Sequence, residues 1–368
     1  MKNRRLIAIA ASICLIVVFL TTSLLVGCGT KEAEVIELSW NSHFNAQHGL
    51  YLAGQYYADR VNEETNGRVV ITTFPTGTLS SAPEVFEGVV AGVSDIGAAS
   101  PAYTPGRFPA VDSTSVPLPS KSAYVTSHMG SDFWFHFQPA EWDDVHVLWI
   151  DAAGPYVLSS TDKQIKTPAD LKGLKLRASG PQAAAFAAAL GGTPVSVPMP
   201  EVYEAASKGI LDVLVTPVET HKGWRHAEVT KYVTKLPVTF TTPGFSVMNM
   251  DKWNALPADI QKIMTDLAQE QLEVQAKVWR YIDIEGEQYF LSLGGGREIY
   301  VIPDSEAQIW VDLVIPVIND YIKEKTALGL PAADYVKYNQ ERAEYWNARI
   351  PDDQEVIDFV EKEVFKTR

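Results

Sequence analysis

One arginine, Arg177, lies where a predicted strand leads into a predicted helix. Apolar Leu174 and Leu176 alternate with Lys175 and Arg177, and a Ser-Gly-Pro turn then precedes the alanine-rich segment 183–190. This alternation is typical of a strand. A guanidinium offers a carboxylate two parallel hydrogen bonds, a geometry that the ammonium of lysine cannot match. The residues alone leave two roles open for Arg177, a surface arginine at a strand end or a carboxylate-binding group.

The remaining reactive side chains form no pattern typical of catalysis or metal binding. The sequence contains no GxSxG, HExxH or Walker motif, and no GxGxxG after a predicted strand. His43 and His48 lie five residues apart, off the i, i+4 spacing of a helical metal pair, and His221 and His226 flank Trp224 in a predicted loop. We expect these histidines to be surface or capping residues. The sequence favours ligand binding over catalysis, and no enzyme activity, metal or cofactor is predicted.

Two successive α/β units are predicted to position these residues. In the first unit the elements alternate as βαβαβ, which indicates a parallel sheet with helices on its faces. Its predicted strands are 35–40, 68–74, 93–100 and 144–151, and its helices are 48–67 and 83–92. The second unit has predicted strands 174–179, 193–198 and 211–217, and helices 182–190 and 201–208.

Two further segments are predicted to connect the units. Residues 241–250 read as a strand that returns to the first unit. The helical pattern from Pro257 to about Leu293 contains no internal proline and ends at three glycines, 294–296. Such a helix is too long for an ordinary globular domain, so we expect it to lie across two domains. The length of 368 residues also indicates about two domains.

The N-terminal 30 residues form a separate segment. A basic start precedes an uncharged apolar run over 6–26, and the letters LVGC occupy 25–28. This ending resembles a bacterial lipobox. The resemblance implies a lipoprotein signal peptide over 1–27, cleavage before Cys28, acylation of Cys28 and a tether over 28–35. An uncleaved transmembrane anchor is the alternative, because the run is nearly long enough to span a membrane.

Charge and cysteine content restrict the partners and the compartment. The formal net charge is −14, and an acidic body repels phosphate backbones, so no nucleic-acid partner is expected. The only cysteines are Cys14 and Cys28. Cys14 would leave with the signal peptide, so the mature body is predicted to have no disulfide and no thiolate metal site. We therefore expect an extracytoplasmic protein that a lipid anchor holds on the cell membrane.

Five blocks of the sequence, in order, resemble the substrate-binding proteins of TRAP (tripartite ATP-independent periplasmic) transporters. The blocks are ETNGRVVITTFPTGTLSSAPEVFEGVVAGVSDIG, YTPGRFPAV, IKTPADLKGLKLRASG, PVSVPMPEVYEAASKGILDVLVTP, and EVTKYVTKLPVT followed by SVMNMDKWNALP. The resemblance covers about residues 36 to 300. One block alone would be a weak signal, whereas five in the same order are specific.

The resemblance implies an α/β, two-lobe periplasmic-binding-protein fold with crossing strands and one long helix spanning both lobes. Lobe I would comprise residues 36–152 plus 242–281, and lobe II residues 153–241 plus 282–345. A C-terminal helical segment would follow at 346–368. The implied function is an extracytoplasmic receptor that closes over a small organic carboxylate and delivers it to a small and a large membrane subunit. A receptor for a sensor kinase and a membrane-tethered enzyme acting on organic acids are the alternatives.

The resemblance also implies roles for individual residues. Arg177 would point into the cleft and hold the ligand carboxylate. Tyr156 occupies the place where many relatives carry a second arginine, and Thr216 the place where many carry asparagine. The loss of one positive charge favours a monocarboxylate, with an apolar or aromatic body. Tyr156 and Thr216 can still hydrogen-bond a ligand, and core packing is an equal alternative for Tyr156.

Other cleft candidates lie in or after the predicted strands. Asn41 and His43 follow the first strand, and Tyr103 follows the third. Trp149 lies in the strand before the second unit, and Trp224 follows the last strand of that unit. Aromatic walls with few polar groups are the usual composition of small-molecule sites. For Trp149 the alternation of its neighbours favours a core position.

Overall fold

The computed structural model describes residues 35–366. The predicted signal peptide and Cys28 lie outside the described residues. The strands are β1 (Ile36–Ser42), β2 (Val69–Phe74), β3 (Ile96–Ala99), β4 (Val145–Ala152), β5 (Tyr156–Ser160), β6 (Lys175–Ala178), β7 (Thr193–Ser196), β8 (Val213–Pro217), β9 (Tyr232–Lys235), β10 (Pro243–Asn249) and β11 (Glu298–Val301). The helices are α1 (Gly49–Glu64), α2 (Val85–Val90), α3 (Ala123–Phe137), α4 (Pro181–Ala189), α5 (Met199–Ser207), α6 (Thr220–Gly223), α7 (Met250–Ala255), α8 (Ala258–Ser292), α9 (Asp304–Ala327), α10 (Ala332–Asn347) and α11 (Asp353–Phe359).

The first sheet has the strand order β2-β1-β3-β10-β4. Its strands β1 and β3 pair in parallel, as the alternation of strands and helices predicted. The returning strand β10 was also predicted, and it lies between β3 and β4 and runs antiparallel to both. The sheet is therefore mixed rather than fully parallel, because β10 enters it from the opposite direction after the chain has visited the second sheet.

The second sheet has the strand order β11-β9-β5-β8-β6-β7. Strand β6, which carries Arg177, pairs in parallel with β7 and β8. Two connecting segments cross between the sheets, residues 153–155 after β4 and residues 236–242 before β10, and α8 leads back to β11 in the second sheet. These crossing segments are joined by backbone hydrogen bonds from Ala153 N to Thr242 O (3.0 Å) and from Tyr156 N to Phe240 O (3.2 Å). The paired crossing segments form the narrow connection between two α/β lobes.

The long helix α8 contains 35 residues, which corresponds to about 50 Å at 1.5 Å per residue. It packs on α1, α3 and β4 beside the first sheet and on α6 beside the second. Its buried residues Gln271, Gln275, Trp279 and Asp283 are four positions apart and so lie on one face. The helix ends at Leu293, directly before glycines with positive φ. The predicted spanning helix is confirmed.

Several helices were not predicted from the sequence. Helix α3 has ten buried residues and packs on α8, β4 and α10. A helix buried on all sides lacks the alternation of apolar and polar residues that marks an amphipathic helix. Helices α9 and α10 complete the packing against α3 and α4. Within residues 35–366, no helix combines the length and apolar character needed to cross a membrane.

Candidate functional site

A cavity lies where the strands of the two sheets end and begin. Its walls include the ends of β1, β3, β4 and β8, the starts of β5 and β10, and two side chains of α8. The empty volume, including the mouth, is about 770 Å³. Small-molecule sites typically occupy about 300–1,000 Å³, and α/β sheets bind ligands near the carboxyl ends of their strands. The cavity therefore has the size and position of a ligand site.

The structure brings five of the predicted side chains together in this cavity. They are His43, Tyr103, Trp149, Tyr156 and Trp224. The cavity lining does not include three others, namely Arg177, Thr216 and Asn41.

Arg177 is fully buried next to the cavity wall, with 0% of its surface exposed. Its Nε donates to Val197 O at 3.0 Å and its Nη1 to Val215 O at 3.5 Å. Neither partner carries a charge, and Nη2 is buried without a partner among residues 35–366. A surface position for Arg177 is therefore wrong. Its two carbonyl partners belong to β8 and to the residue that follows β7, on either side of β6.

Tyr156 lies near Arg177 and belongs both to the cavity wall and to the core. Its side chain lines the cavity and packs on Phe240, with ring centroids 4.5 Å apart. Burial raises the pKa of the Tyr156 hydroxyl, and the positive charge of Arg177 opposes this rise. Tyr156 is therefore a neutral polar group adjacent to the guanidinium, in the position where a second arginine is common.

Thr216 and Asn41 make hydrogen bonds within the protein. Thr216 Oγ1 lies 3.0 Å from Thr220 Oγ1 at the end of β8, and Thr216 is fully buried. Asn41 Nδ2 donates to Ser80 O and Ser80 Oγ at 2.9 Å, and Asn41 Oδ1 accepts from Leu79 N. The Asn41 amide thus holds the segment after β2 against β1.

Aromatic rings form much of the cavity wall. The His43 ring lies 5.8 Å from Tyr103 and 6.5 Å from Trp224, centroid to centroid. Burial lowers the pKa of His43 to about 4, although a hydrogen bond from Nδ1 to Ala98 O opposes this effect. His43 is therefore neutral at pH 7 and, with Nδ1 as donor, keeps Nε2 as an acceptor. Trp149 lines the cavity and packs against Tyr57 and Trp40, with ring centroids 5.0 and 5.5 Å away.

The prediction that the histidines are surface or capping residues is correct only for His48. Its Nδ1 accepts from Leu50 N at the start of α1. His43, His221 and His226 are instead buried in the folded protein. Burial lowers the pKa of His221 to about 4 and that of His226 well below its usual value. Among residues 35–366, no group of three His, Cys, Asp or Glu side chains is placed to hold a metal ion.

Acidic residues in the wall were not predicted. Asp151 lies at the end of β4, two residues after Trp149, and lines the cavity with 7% of its surface exposed. Burial raises the pKa of Asp151 to about 7, and the indole N–H groups of Trp279 and Trp149 only partly offset this rise. The sequence did contain a usable signal, because residues two apart on a strand share a face. A cavity role for Trp149 therefore implied one for Asp151.

A second acidic group enters the wall from the start of α6. Glu219 Oε2 lies 3.2 Å from His48 Nε2, and both side chains are buried. Behind it, Asp283 on α8 accepts a hydrogen bond from Glu219 N. Burial, and then the charge of Glu219, raise the pKa of Asp283 to about 8. This cluster ties α1, α6 and α8 together at one side of the cavity.

The rims of the two lobes meet over the cavity. Met199 N, at the start of α5, donates to Tyr103 Oη at 3.3 Å. Asn45 Nδ2 donates to Gly223 O at 2.9 Å. Because each bond joins an element of one lobe to an element of the other, the structure shows the lobes in contact around the cavity.

Comparison with models of protein families identifies the family of this chain. The chain matches the model of DctP, bacterial extracellular solute-binding protein family 7, over residues 41–325. The chain belongs to solute-binding protein family 7. Two similar proteins are named as periplasmic binding proteins. One is the 2,3-diketo-L-gulonate-binding protein of Escherichia coli, 26% identical over 305 residues, covering 80% of this chain and 90% of that protein. The other is the monocarboxylate 2-oxoacid-binding protein of Nostoc, 27% identical over 323 residues, covering 81% and 83%.

Solved structures agree with the family-7 assignment. A TRAP solute-binding protein of Rhodoferax ferrireducens, in complex with copurified benzoate, has a TM-score of 0.80 and 27% identity, covering 84% of this chain and 98% of that one. A marine metagenome TRAP protein specific for aromatic acid ligands, in complex with metahydroxyphenylacetate, has a TM-score of 0.81 and 25% identity, covering 84% and 99%. The chain is thus an extracytoplasmic solute-binding receptor of the TRAP type, and the resemblance noted from its sequence is confirmed.

Proposed function

We propose that this family-7 receptor binds a small organic monocarboxylate with an aromatic or apolar body, and that Arg177 is the partner of the carboxylate. The observation that carries the proposal is the burial of Arg177 beside two uncharged carbonyl partners, with Nη2 unpaired. A buried charge without a counter-charge is costly. A ligand carboxylate that reached Nη2 beside the Tyr156 hydroxyl would remove this cost and gain charge-assisted hydrogen bonds.

The charges around the cavity support one carboxylate rather than two. Tyr156 replaces the second arginine of many relatives, so Arg177 is the cation adjoining this part of the wall. Asp151 and Glu219 line the same cavity. A second ligand carboxylate would therefore be desolvated close to acidic side chains, where like charges repel.

The aromatic wall supports an aromatic or apolar ligand body. Tyr103, Trp149, Trp224 and Trp279 all line the cavity, and flat rings provide the apolar surface that such a body buries. Two of the similar structures contain aromatic acids, and one similar relative is named for binding a monocarboxylate. We propose the same ligand classes for this chain because aromatic side chains line its cavity.

The test compares an acid with its neutral and doubly charged analogues. A thermal-shift screen of carboxylates selects the tightest acid, because a ligand of the folded state raises the unfolding temperature. Calorimetric titration then compares that acid with its amide and with a dicarboxylate of the same body. We expect the acid to bind at least about 30-fold more tightly than the amide, because loss of a buried charge partner costs about 2–5 kcal/mol. Equal binding of acid and amide would exclude a carboxylate receptor of this kind.

We also propose the lobe boundaries and the membrane anchor. Lobe I at 36–152 plus 242–281 and lobe II at 153–241 plus 282–345 are supported by the membership of the two sheets, because β1 to β4 and β10 share one sheet and β5 to β9 the other. The anchor rests on LVGC at 25–28. Two or three acyl chains on Cys28 would hold the protein on a membrane, since each buried CH₂ contributes about 0.8 kcal/mol.

The anchor proposal is tested with Cys28→Ser. The variant removes the acylated sulfur, so we expect it in the soluble fraction or as an uncleaved precursor. Fractionation and mass spectrometry of the parent and the variant measure this difference. A Cys28→Ser protein that is still processed and still membrane-bound would show that the lipobox interpretation is wrong.

A further inference from the structure

The cavity carries acceptor groups on the wall that the first lobe provides. Asp151 lies at the end of β4 in the first sheet, whereas Arg177 lies on β6 in the second sheet. Gly244 of β10 is the neighbour of Asp151 in the register. A side chain at position 244 would collide with Asp151 Oδ1, so the glycine leaves room for this carboxylate.

The acceptor capacity of the Asp151 carboxyl is largely unused within the protein. An ionised carboxylate can accept about four hydrogen bonds, whereas the polar groups beside Asp151 are the indole N–H groups of Trp149 and Trp279, and Trp279 Nε1 makes no hydrogen bond among the described residues. One turn before Trp279 on α8, Gln275 also lines the cavity, and its Oε1 is buried without a partner among the described residues. Unmet acceptors in a buried wall are costly unless a ligand supplies donors.

We propose that Asp151 is a specificity-determining residue that selects monocarboxylates carrying a hydrogen-bond donor, a hydroxyl or an ammonium group, on the side of the body away from the carboxylate. This inference rests on the proposed function, because Arg177 orients the carboxylate end. Gln275 provides a further acceptor on the same wall. An acid without a donor leaves the Asp151 carboxyl buried against an apolar surface, and such a site discriminates strongly against the analogue that lacks the donor.

The state of Asp151 agrees with this role. Burial raises the pKa of Asp151 to about 7, so the surroundings of this carboxyl favour its anion poorly. A hydroxyl or ammonium group of the ligand would provide the missing stabilisation. A ligand hydroxyl needs only an acceptor oxygen at position 151 to form a hydrogen bond. A ligand ammonium group also needs the negative charge of Asp151 to compensate its own charge.

The experiment uses benzoate as the reference probe. The purified protein is titrated calorimetrically with benzoate and with benzoates that carry a hydroxyl or an aminomethyl group at ring position 2, 3 or 4. We expect at least one substituted acid to bind about tenfold to a hundredfold more tightly than benzoate, the range for one hydrogen bond to a charged group. In Asp151→Ala this preference should fall to less than about threefold, because benzoate no longer buries an unpaired carboxyl in this variant.

Two further variants make the result specific. Asp151→Asn keeps an acceptor oxygen without the charge, so it should retain part of a hydroxyl preference but lose an aminomethyl preference. Asp112→Asn is the matched control, because Asp112 is another desolvated carboxyl whose pKa is raised, to about 6, and it does not line the cavity. This variant should leave all the binding ratios unchanged.

The possible outcomes separate the two proposals. If benzoate binds and no substituted acid binds more tightly, or if the preference survives in both Asp151 variants, the role of Asp151 is wrong and the proposed function stands. If none of the acids binds and the wider screen finds no carboxylate, the proposed function fails and the inference fails with it. Circular dichroism of each variant checks that it is folded, and the Asn variant provides the test if the Ala variant is not.

Discussion

At the scale of single residues, the buried charge of Arg177 lowers the stability of the fold, whereas the same charge favours the proposed binding of a carboxylate. The guanidinium is fully buried and donates to two backbone carbonyl oxygens, with the neutral Tyr156 hydroxyl nearby. A charge in this environment costs several kcal/mol of the free energy of unfolding unless a counter-charge is present. An apolar side chain of similar length would suit the empty protein at least as well. We therefore propose ligand binding, rather than the stability of the fold, as the reason for an arginine at this position.

Arg177→Met tests this opposition. We expect the free energy of unfolding of the ligand-free protein to stay constant or to rise by up to about 2 kcal/mol, because the uncompensated charge is removed while its volume is kept. Affinity for the best carboxylate should fall by about 2–5 kcal/mol. Urea unfolding and calorimetry measure the two quantities.

The matched control for Arg177→Met is Arg225→Met, because the Arg225 side chain is 70% exposed and pairs with Glu228. Removal of an exposed ion pair should change stability by less than about 1 kcal/mol and leave binding intact. A destabilised Arg177→Met protein that still binds the acid normally would contradict both parts of the prediction.

At the scale of elements, helix α8 connects the packing of the lobes with the shape of the cavity. Its buried face presents Gln275 and Trp279 to the cavity and Asp283 to the backbone of Glu219. One turn further, Gly286 allows α8 to approach the residues that follow β8. The position of Glu219 in the wall therefore depends on a close contact between backbones.

Gly286→Ala should disturb this contact. The added Cβ would lie 2.5 Å from Val218 O and 2.6 Å from Glu219 Cα, and backbone atoms cannot move aside by changing rotamer. We expect a loss of about 1–3 kcal/mol in the free energy of unfolding and a weaker affinity for the ligand, because Glu219 is displaced. Gln269→Ala on the exposed face of the same helix should change both by less than about 0.5 kcal/mol. Equal behaviour of the two variants would show that α8 has room to shift.

A structural feature could be predicted from the sequence when neighbouring residues determine it. It could not be predicted when the residues that determine it lie far apart in the chain. The span of α8, the return of β10 and the glycine stop at 294 could be predicted, because local periodicity and local turn chemistry determine them. The burial of His221 could not, because it depends on Ser159 and Phe290, which come from distant parts of the chain. The direction of the Asn41 amide likewise depends on Ser80, 39 residues away.

At the scale of the whole molecule, two lobes connected by paired crossing segments can move as units. The bonds between the crossing segments at Ala153 and Thr242 lie away from the rim bonds at Tyr103 and Met199. Rotation about the crossing segments would therefore part the rims while each sheet keeps its own hydrogen bonds. The bonds at the rim are few, so the parted state should be accessible when no ligand joins the walls.

Small-angle scattering tests this motion. We expect a smaller radius of gyration at saturating ligand than in the ligand-free protein, because a bound carboxylate joins the Arg177 side of the cavity to the opposite wall. Arg177→Met serves as the control, since it should keep the larger radius when the same ligand is added. An identical radius with and without ligand in the parent protein would mean that the lobes remain closed when empty.

The rim bond between Tyr103 and Met199 also has a kinetic consequence. A solute enclosed behind it can leave only after the rims part, so its escape is a first-order event whose rate includes the opening step. Entry occurs through the parted state and is similar for solutes of similar size and charge. Preferred and rejected solutes should therefore differ chiefly in their residence time, while their association rate constants stay close together. A membrane partner that holds the rims apart would shorten the residence time of every solute and would not need to recognise any of them.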